Sequence, residues 1–168
     1  MRKCKNCKTV QYSEMCHVCQ TPTTVIPERP PWDQVFLDMA DAIAQRSDDV
    51  HKQLGCIVVK NKKVLAVGCN GLPRGTVPSP QTLNKPAKYS VMEHAERNAI
   101  YNSNADLTGA TLYVQMFPCN DCARAIIQKG ISEVVVGGIK STNPMWIKKT
   151  EEAIAMFEDA GVKWRYYE

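Results

Sequence analysis

Six of the eight cysteines fall into three C-x-x-C pairs, Cys4/Cys7, Cys16/Cys19 and Cys119/Cys122, leaving Cys56 and Cys69. Short paired spacing favours metal chelation over a disulfide framework. A second group that can do chemistry is His94-Ala95-Glu96, followed downstream by Pro118-Cys119-Asn120-Asp121-Cys122. His94, Cys119 and Cys122 offer three ligands to a Zn²⁺ ion. That leaves the fourth tetrahedral position for water, the composition of a catalytic site. Glu96 lies two residues from His94 and can approach that water without ligating the metal. Zinc lowers the pKa of bound water toward ~7, and a carboxylate beside it can take the proton and return it to a substrate. Cys4, Cys7, Cys16 and Cys19 form a different set. Four thiolates close a tetrahedral ion and leave no open position, which is structural composition. Two zinc ions per chain are therefore expected, one catalytic and one structural. Cys56 and Cys69 lie in apolar runs and read as small core hydrophobes.

The elements that must position these residues follow from pattern. Glu93–Asn102 has helical composition, and Cys119–Lys129 reads as a helix stopped by Gly130. His94 and Glu96 thus open one helix, and Cys119 and Cys122 open another on a shared face. A helix N-terminus lowers a thiol pKa and favours the thiolate a metal needs. Before them, Trp32, Val35, Phe36, Met39, Ala40 and Ile43 mark an amphipathic helix ending near Ser47. Gly55–Val59 and Val64–Gly68, joined by Asn61-Lys62-Lys63, read as a hairpin. Leu112–Val114, Val134–Val136 and Val162–Tyr166 read as further strands, and Trp146–Ala160 as a helix closed by Gly161. The order α-β-β-α-β-α-β-α-β predicts a mixed five-stranded sheet between helices. Residues 71–91, with four prolines and two glycines, read as a long loop of the kind that is usually functional. Residues 1–21 read as a small metal-binding module and 22–31 as a stiff proline-rich linker, with 32–168 as the catalytic domain.

Composition excludes several classes. The chain has 168 residues, 44% hydrophobic and 23% charged, which is ordinary for a globular protein and not for a disordered one. No run of 18 apolar residues exists, so no membrane helix is expected. No apolar stretch follows the first five residues, so no secretory leader is visible and a cytoplasmic location is expected. The net charge is +4, of which residues 1–31 carry +3 from Arg2, Lys3, Lys5, Lys8 and Arg29 against Glu14 and Glu28. A closed four-thiolate zinc site subtracts two charges. A nucleic-acid partner, which usually shows a stronger basic stripe, is disfavoured.

His-Ala-Glu followed by Pro-Cys-x-x-Cys is similar to the signature of the zinc-dependent cytidine and deoxycytidylate deaminases. Between about Trp32 and Val136 the chain more closely resembles the deoxycytidylate deaminases. The pieces are Arg46-Ser47, Gly68-Cys69-Asn70-Gly71-Leu72-Pro73-Arg74-Gly75, Glu93 through Ile100, Leu112-Tyr113-Val114 and Pro118 through Ala123. The resemblance implies a three-layer α/β/α cytidine-deaminase-like fold; the N-terminal module, absent from most members of that family, itself resembles a small zinc ribbon. It implies hydrolysis of dCMP to dUMP and ammonia, with Glu96 shuttling the proton and the product feeding thymidine nucleotide synthesis. Asn70, Ala95, Arg46 and Ser47 are the substrate-binding candidates it points to, and the residues alone fit Asn70 equally as a turn former beside Gly71. Asn70, Gly71, Arg74 and Gly75 match the region used near an effector. dCTP activation, dTTP inhibition, Mg²⁺ with the effector nucleotide and a homo-oligomer, with a hexamer favoured, are implied likewise. Ser47–His51 and the long loop lack the extra Cys and His of many family members, so no second zinc is expected inside the catalytic domain. Two other readings remain at this point: a tRNA or other nucleic-acid deaminase gripping through the N-terminal module, and a zinc-binding assembly protein without turnover. Intact Glu96 weighs against the latter and the Gly68–Gly75 stretch against the former.

Overall fold

The computed structural model describes residues 1–20, 23–25 and 28–168, which fall into two compact units, Met1–Pro31 and Trp32–Glu168. In the first unit, β1 (Arg2–Cys4), β2 (Val10–Gln11) and β3 (Thr23–Val25) form an antiparallel sheet in the order β2-β1-β3. Strand β3 falls inside the stretch read as a linker. A proline-flanked, β-branched Thr-Thr-Val run is already extended, and an edge position tolerates the prolines. Pro22, Ile26 and Pro27 of that stretch, and Thr21 before it, lie outside the described residues.

The second unit begins with α1 (Trp32–Ala44), which buries Phe36, Leu37, Ala40 and Ala44. The helix stops three residues short of Ser47. The Arg46 and Ser47 amides donate to Ile43 and Ala44 carbonyls in tightened final turns, and the Ser47 hydroxyl donates to Asn70 Oδ1 at 2.7 Å. Strands β4 (Gly55–Lys60) and β5 (Lys63–Cys69) form the expected hairpin. Within residues 71–94, α2 (Pro80–Leu83) and α3 (Lys88–Val91) are single turns too short to display a periodicity. Then follow α4 (Ala95–Asn102), β6 (Thr111–Met116), α5 (Asn120–Gln128), β7 (Glu133–Ile139), α6 (Pro144–Ala160) and β8 (Lys163–Tyr166). The sheet runs β5-β4-β6-β7-β8, antiparallel up to β6 and parallel from there on. This is the mixed five-stranded α/β architecture the pattern predicts.

Strict alternation shows that both faces are covered. Cys56, Val58, Leu112, Val114, Val134 and Val136 pack into one core with residues of α4, α5 and α6. Ile57, Val59, Tyr113 and Val135 point the other way onto Phe36, Leu37 and Ala40 of α1. One contact bears directly on the site. A Cβ on Gly68 would lie 2.4 Å from both the Ala95 carbonyl and the Ala99 amide, so glycine here lets the first turns of α4 sit against β5. Helix α6 starts at Pro144, two residues before the expected Trp146, because Asn143 caps it by accepting from the Met145 amide at 2.9 Å. No helix among the described residues is long and apolar enough to cross a membrane.

Candidate active site

Both halves of the motif lie at helix entrances. His94 is the N-cap of α4 and Glu96 lies in its first turn; Cys119 is the N-cap of α5 and Cys122 lies within it. Both N-caps have extended backbone and neither side chain makes a capping hydrogen bond. His94 is held from behind. Its amide donates to Glu93 Oε1 at 3.0 Å, and Glu93 exchanges backbone hydrogen bonds with Gly71 at 2.8 and 3.0 Å. Arg97 closes on the same Glu93 oxygen at 2.5 Å, one turn along the helix. On the far side, the Asn98 amide group donates to the Cys69 carbonyl at 2.8 Å, tying α4 to the end of β5.

The result is a three-donor cluster. His94 Nδ1 lies 3.4 Å from Cys119 Sγ and 3.3 Å from Cys122 Sγ. The three ligand atoms lie within 4.8 Å of one another, and both thiols are buried. A nitrogen and two sulfurs at this spacing fit Zn²⁺ and leave one of four tetrahedral positions for a non-protein ligand. The electrostatics favour one thiolate of the pair, at Cys119, while the hydrogen bond with Cys119 and burial push the Cys122 thiol up. Hydrogen bonding with Cys122, and contact with His94, hold the Cys119 thiol down to about 4 against the cost of burial. Glu96 is 6% exposed, and burial raises its carboxyl pKa against the opposing pull of His94.

The cluster opens into a cavity of about 270 Å³. At its base lie His94, Ala95, Glu96 and Cys119; Phe117 and Trp146 contribute aromatic walls. The Trp146 ring sits 5.8 Å from the His94 ring and 6.1 Å from the Tyr89 ring. At the rim are the exposed His51, Lys52 and Lys85. Beneath the rim, the Lys88 ammonium donates to both Asp49 oxygens, at 2.8 and 2.6 Å, with both side chains about 5% exposed. Burial would raise the Asp49 pKa, but Lys88 and the His51 and Lys52 amides together hold it below the usual carboxylate range.

The other residues singled out by sequence fall in different places. Asn70 is buried and lines the cavity, but its amide is fully engaged. Its Oδ1 accepts from Ser47 Oγ and the Leu54 amide, and its Nδ2 donates to the Lys52 carbonyl at 2.9 Å and toward Asp49 at 3.4 Å. Ser47 thus meets Asn70 outside the cavity lining, and Arg46 is exposed beside it. Gly71 pairs with Glu93, while Arg74 is exposed and bonds Asn102 Oδ1. Gly75 is exposed with φ +80, a turn that favours glycine. Among the cavity residues that escaped the sequence reading are Lys52, Lys85, Lys88, Phe117 and Trp146. The lysines resemble ordinary surface charges. Trp146 resembles one more apolar residue of an amphipathic helix, alongside Phe157, which is fully buried in the core.

In the second cysteine cluster, Cys4, Cys7, Cys16 and Cys19 bring four sulfur atoms within 4.8 Å of one another.

Comparisons with known proteins agree with this geometry. The family model "Cytidine and deoxycytidylate deaminase zinc-binding region" matches residues 30–138. The deoxycytidylate deaminase of Mus musculus is 40% identical over 144 residues, covering 81% of this chain and 79% of the mouse protein. The Homo sapiens deoxycytidylate deaminase is 39% identical over 147 residues, with the same coverage. The crystal structure of the cyanophage S-TIM5 dCMP deaminase with dCMP and dUMP superposes with a TM-score of 0.66 at 26% identity. That match covers 84% of this chain and 100% of the phage chain. A profile spanning the helices that carry both halves of the motif, and relatives sharing two fifths of their residues over four fifths of the chain, lead to one assignment: the chain belongs to the cytidine and deoxycytidylate deaminase family.

Proposed function

We propose that this protein hydrolyses dCMP to dUMP and ammonia. The observation that carries the reading is the polarity of one cavity, which has a three-donor metal cluster and a buried carboxyl at its base and cations at its rim. A nucleoside monophosphate has the matching polarity: a base to be attacked at one end and a dianion at the other.

His94, Cys119 and Cys122 would hold the zinc, which when bound supplies a Lewis acid that activates water. Glu96 does the proton work. It takes a proton from the attacking water and delivers it to pyrimidine N3; it then takes the second proton, from the hydroxyl now on C4, and delivers it to the amine, which leaves as ammonia as the C4 carbonyl forms. Its burial suits this task, because a raised pKa makes the carboxylate a stronger base toward the water's proton and lets it hold that proton for delivery. Phe117 and Trp146 flank the ring, and the backbone around Ala95 meets the pyrimidine edge. Asn70 shapes the sugar end by pinning residues 47–54 through Ser47 and Leu54. Lys52 and Lys85 hold the phosphate, a role the exposed Arg46 is less well placed to serve.

Resemblance supports three finer elements of the reading. dCTP activates and dTTP inhibits, with Mg²⁺ accompanying the nucleotide, through the Asn70, Gly71, Arg74 and Gly75 segment. The protein assembles as a hexamer in the cytoplasm. Its dUMP supplies thymidine nucleotide synthesis.

The test is ammonia release from dCMP, deoxycytidine, dCTP and cytosine- or adenosine-containing oligonucleotides. The reading expects dCMP to be preferred, and expects Lys52→Ala with Lys85→Ala to erode that preference over deoxycytidine. Turnover on the oligonucleotide alone would replace it with nucleic-acid deamination. Hyperbolic kinetics indifferent to dCTP and dTTP would remove the regulatory part.

A further inference from the structure

The N-terminal unit poses a stability problem that its described residues do not solve by burial. Chains below about 40 residues seldom fold on apolar burial alone and usually need disulfides, a metal or a partner. Within Met1–Pro31, the fully buried hydrophobic residues among the described positions are Cys4 and Cys16, both at 0% exposure. The larger apolar side chains point outward: Met1, Val10, Tyr12, Met15 and Val18 are between 47% and 85% exposed. The centre of this unit is therefore sulfur.

The sulfur geometry discriminates between the remaining solutions. Cys4 Sγ lies 3.3 Å from Cys19 Sγ, and Cys7 Sγ lies 3.5 Å from Cys16 Sγ and 3.8 Å from Cys19 Sγ. A disulfide needs about 2.05 Å. A tetrahedral ion with metal–sulfur bonds of about 2.3 Å requires sulfur–sulfur edges of about 3.8 Å. Each pair comes from opposite knuckles, as it must if one ion is to sit between them.

The two knuckles are also built alike. Each C-x-x-C is followed at once by a non-glycine residue in the left-handed region, Lys8 at φ 63 and Gln20 at φ 53. The Asn6 amide donates to Cys4 Sγ at 3.4 Å, and the Gln20 amide donates to the Cys16 carbonyl at 2.9 Å. The left-handed region is unfavourable for a residue with a side chain, and finding it twice at the same offset marks a constraint imposed from the centre. His17 is exposed and stands outside the four-sulfur set.

We propose that Cys4, Cys7, Cys16 and Cys19 bind one Zn²⁺ ion in a closed four-thiolate site, and that this ion takes the place of a hydrophobic core in residues 1–31. Soft sulfur donors in tetrahedral array select zinc or iron, and zinc needs no redox partner. The site is independent of the deaminase reading, since nothing in its argument uses the cavity or its chemistry.

The experiment is metal analysis of the purified full-length protein, with a thiol count under denaturing, non-reducing conditions after chelation. Two zinc ions per chain and eight reactive thiols are expected. Cys4→Ser with Cys16→Ser should lower the zinc content to one per chain. Cys7→Ser should do the same, while Cys7→His, which leaves a Cys₃His set, should restore the second ion. Because these variants are expected to melt the small unit, Co²⁺ substitution of the unmutated protein gives a second readout. An absorption band characteristic of four-thiolate cobalt should persist in His94→Ala, which removes the other cluster. One zinc per chain in the unmutated protein, iron in place of zinc, fewer than eight thiols, or two zinc ions surviving Cys4→Ser with Cys16→Ser would each overturn the proposal.

Discussion

The two cysteine clusters use the same C-x-x-C spacing in opposite surroundings. Cys119 and Cys122 sit on α5, backed by a core that includes Phe117, Ala123, Ile126 and Phe157. Cys4, at the end of β1, and Cys7, Cys16 and Cys19 have no comparable core behind them among the described residues. In the larger unit, burial of apolar surface holds three donors in place, so one metal position can be left for chemistry. In the smaller unit, the proposed ion would use all four positions to hold the chain together. The contrast teaches that the number of protein ligands reflects what else stabilises the fold. A site can stay open only where the scaffold does not depend on the ion.

Metal removal gives the largest expected effect and strikes the two units unequally. Structural zinc sites supply apparent binding free energies of about 10–16 kcal/mol, which for a unit without a core is folding free energy. Chelation should therefore bring residues 1–31 to the hydrogen-exchange rate of an unfolded chain while the five-stranded sheet stays protected. Equal deprotection of both units would break the comparison. Next in size is Glu96→Gln. It should lower kcat by about 10²–10⁴-fold with the zinc content unchanged, because the carboxyl moves protons and does not ligate. Loss of zinc in that variant would place Glu96 among the ligands.

The third effect concerns the buried pair beneath the cavity rim. Lys88→Met leaves Asp49 charged and buried without its ammonium, and urea denaturation should show a loss of about 3–5 kcal/mol in the larger unit. A loss near zero would mean that solvent reaches Asp49. The smallest effect is the acid response of the same pair. The folded pKa of Asp49 is depressed, so its contribution is fully present above the ordinary carboxylate value of about 3.9. It is lost as pH falls through the lowered folded value. Stability measured from pH 6 downward should fall less steeply in Lys88→Met than in the unmutated protein. Identical slopes would show that the pair carries no part of the acid response.

Much of the catalytic cluster was legible because its rules are local. A metal ligand must be one of few residue types, and helix entrances announce themselves over three or four residues, so His94, Glu96, Cys119 and Cys122 stand out. The hairpin and the parallel strands were legible through β-branched runs. What stayed hidden depended on distance or brevity. Asp49 and Lys88 are 39 residues apart, and each alone looks like a solvated charge. Helices α2 and α3 are four residues each, less than the span over which a 3.6-residue period can be read. Trp146 shares its spacing with core residues, and its place against His94 depends on where α6 begins.

The amino-acid sequence by itself determined the donor types, their division into a set of four and a set of three, and the alternation that dictates a mixed sheet. These follow from chemistry and backbone geometry acting over a few residues. The tertiary structure alone decided which cations reach the cavity rim, that Asn70 spends its amide on pinning residues 47–54, and that a buried ion pair underlies the long loop. Such contacts join residues far apart along the chain. They exist only because burial of the shared core has already brought the elements together.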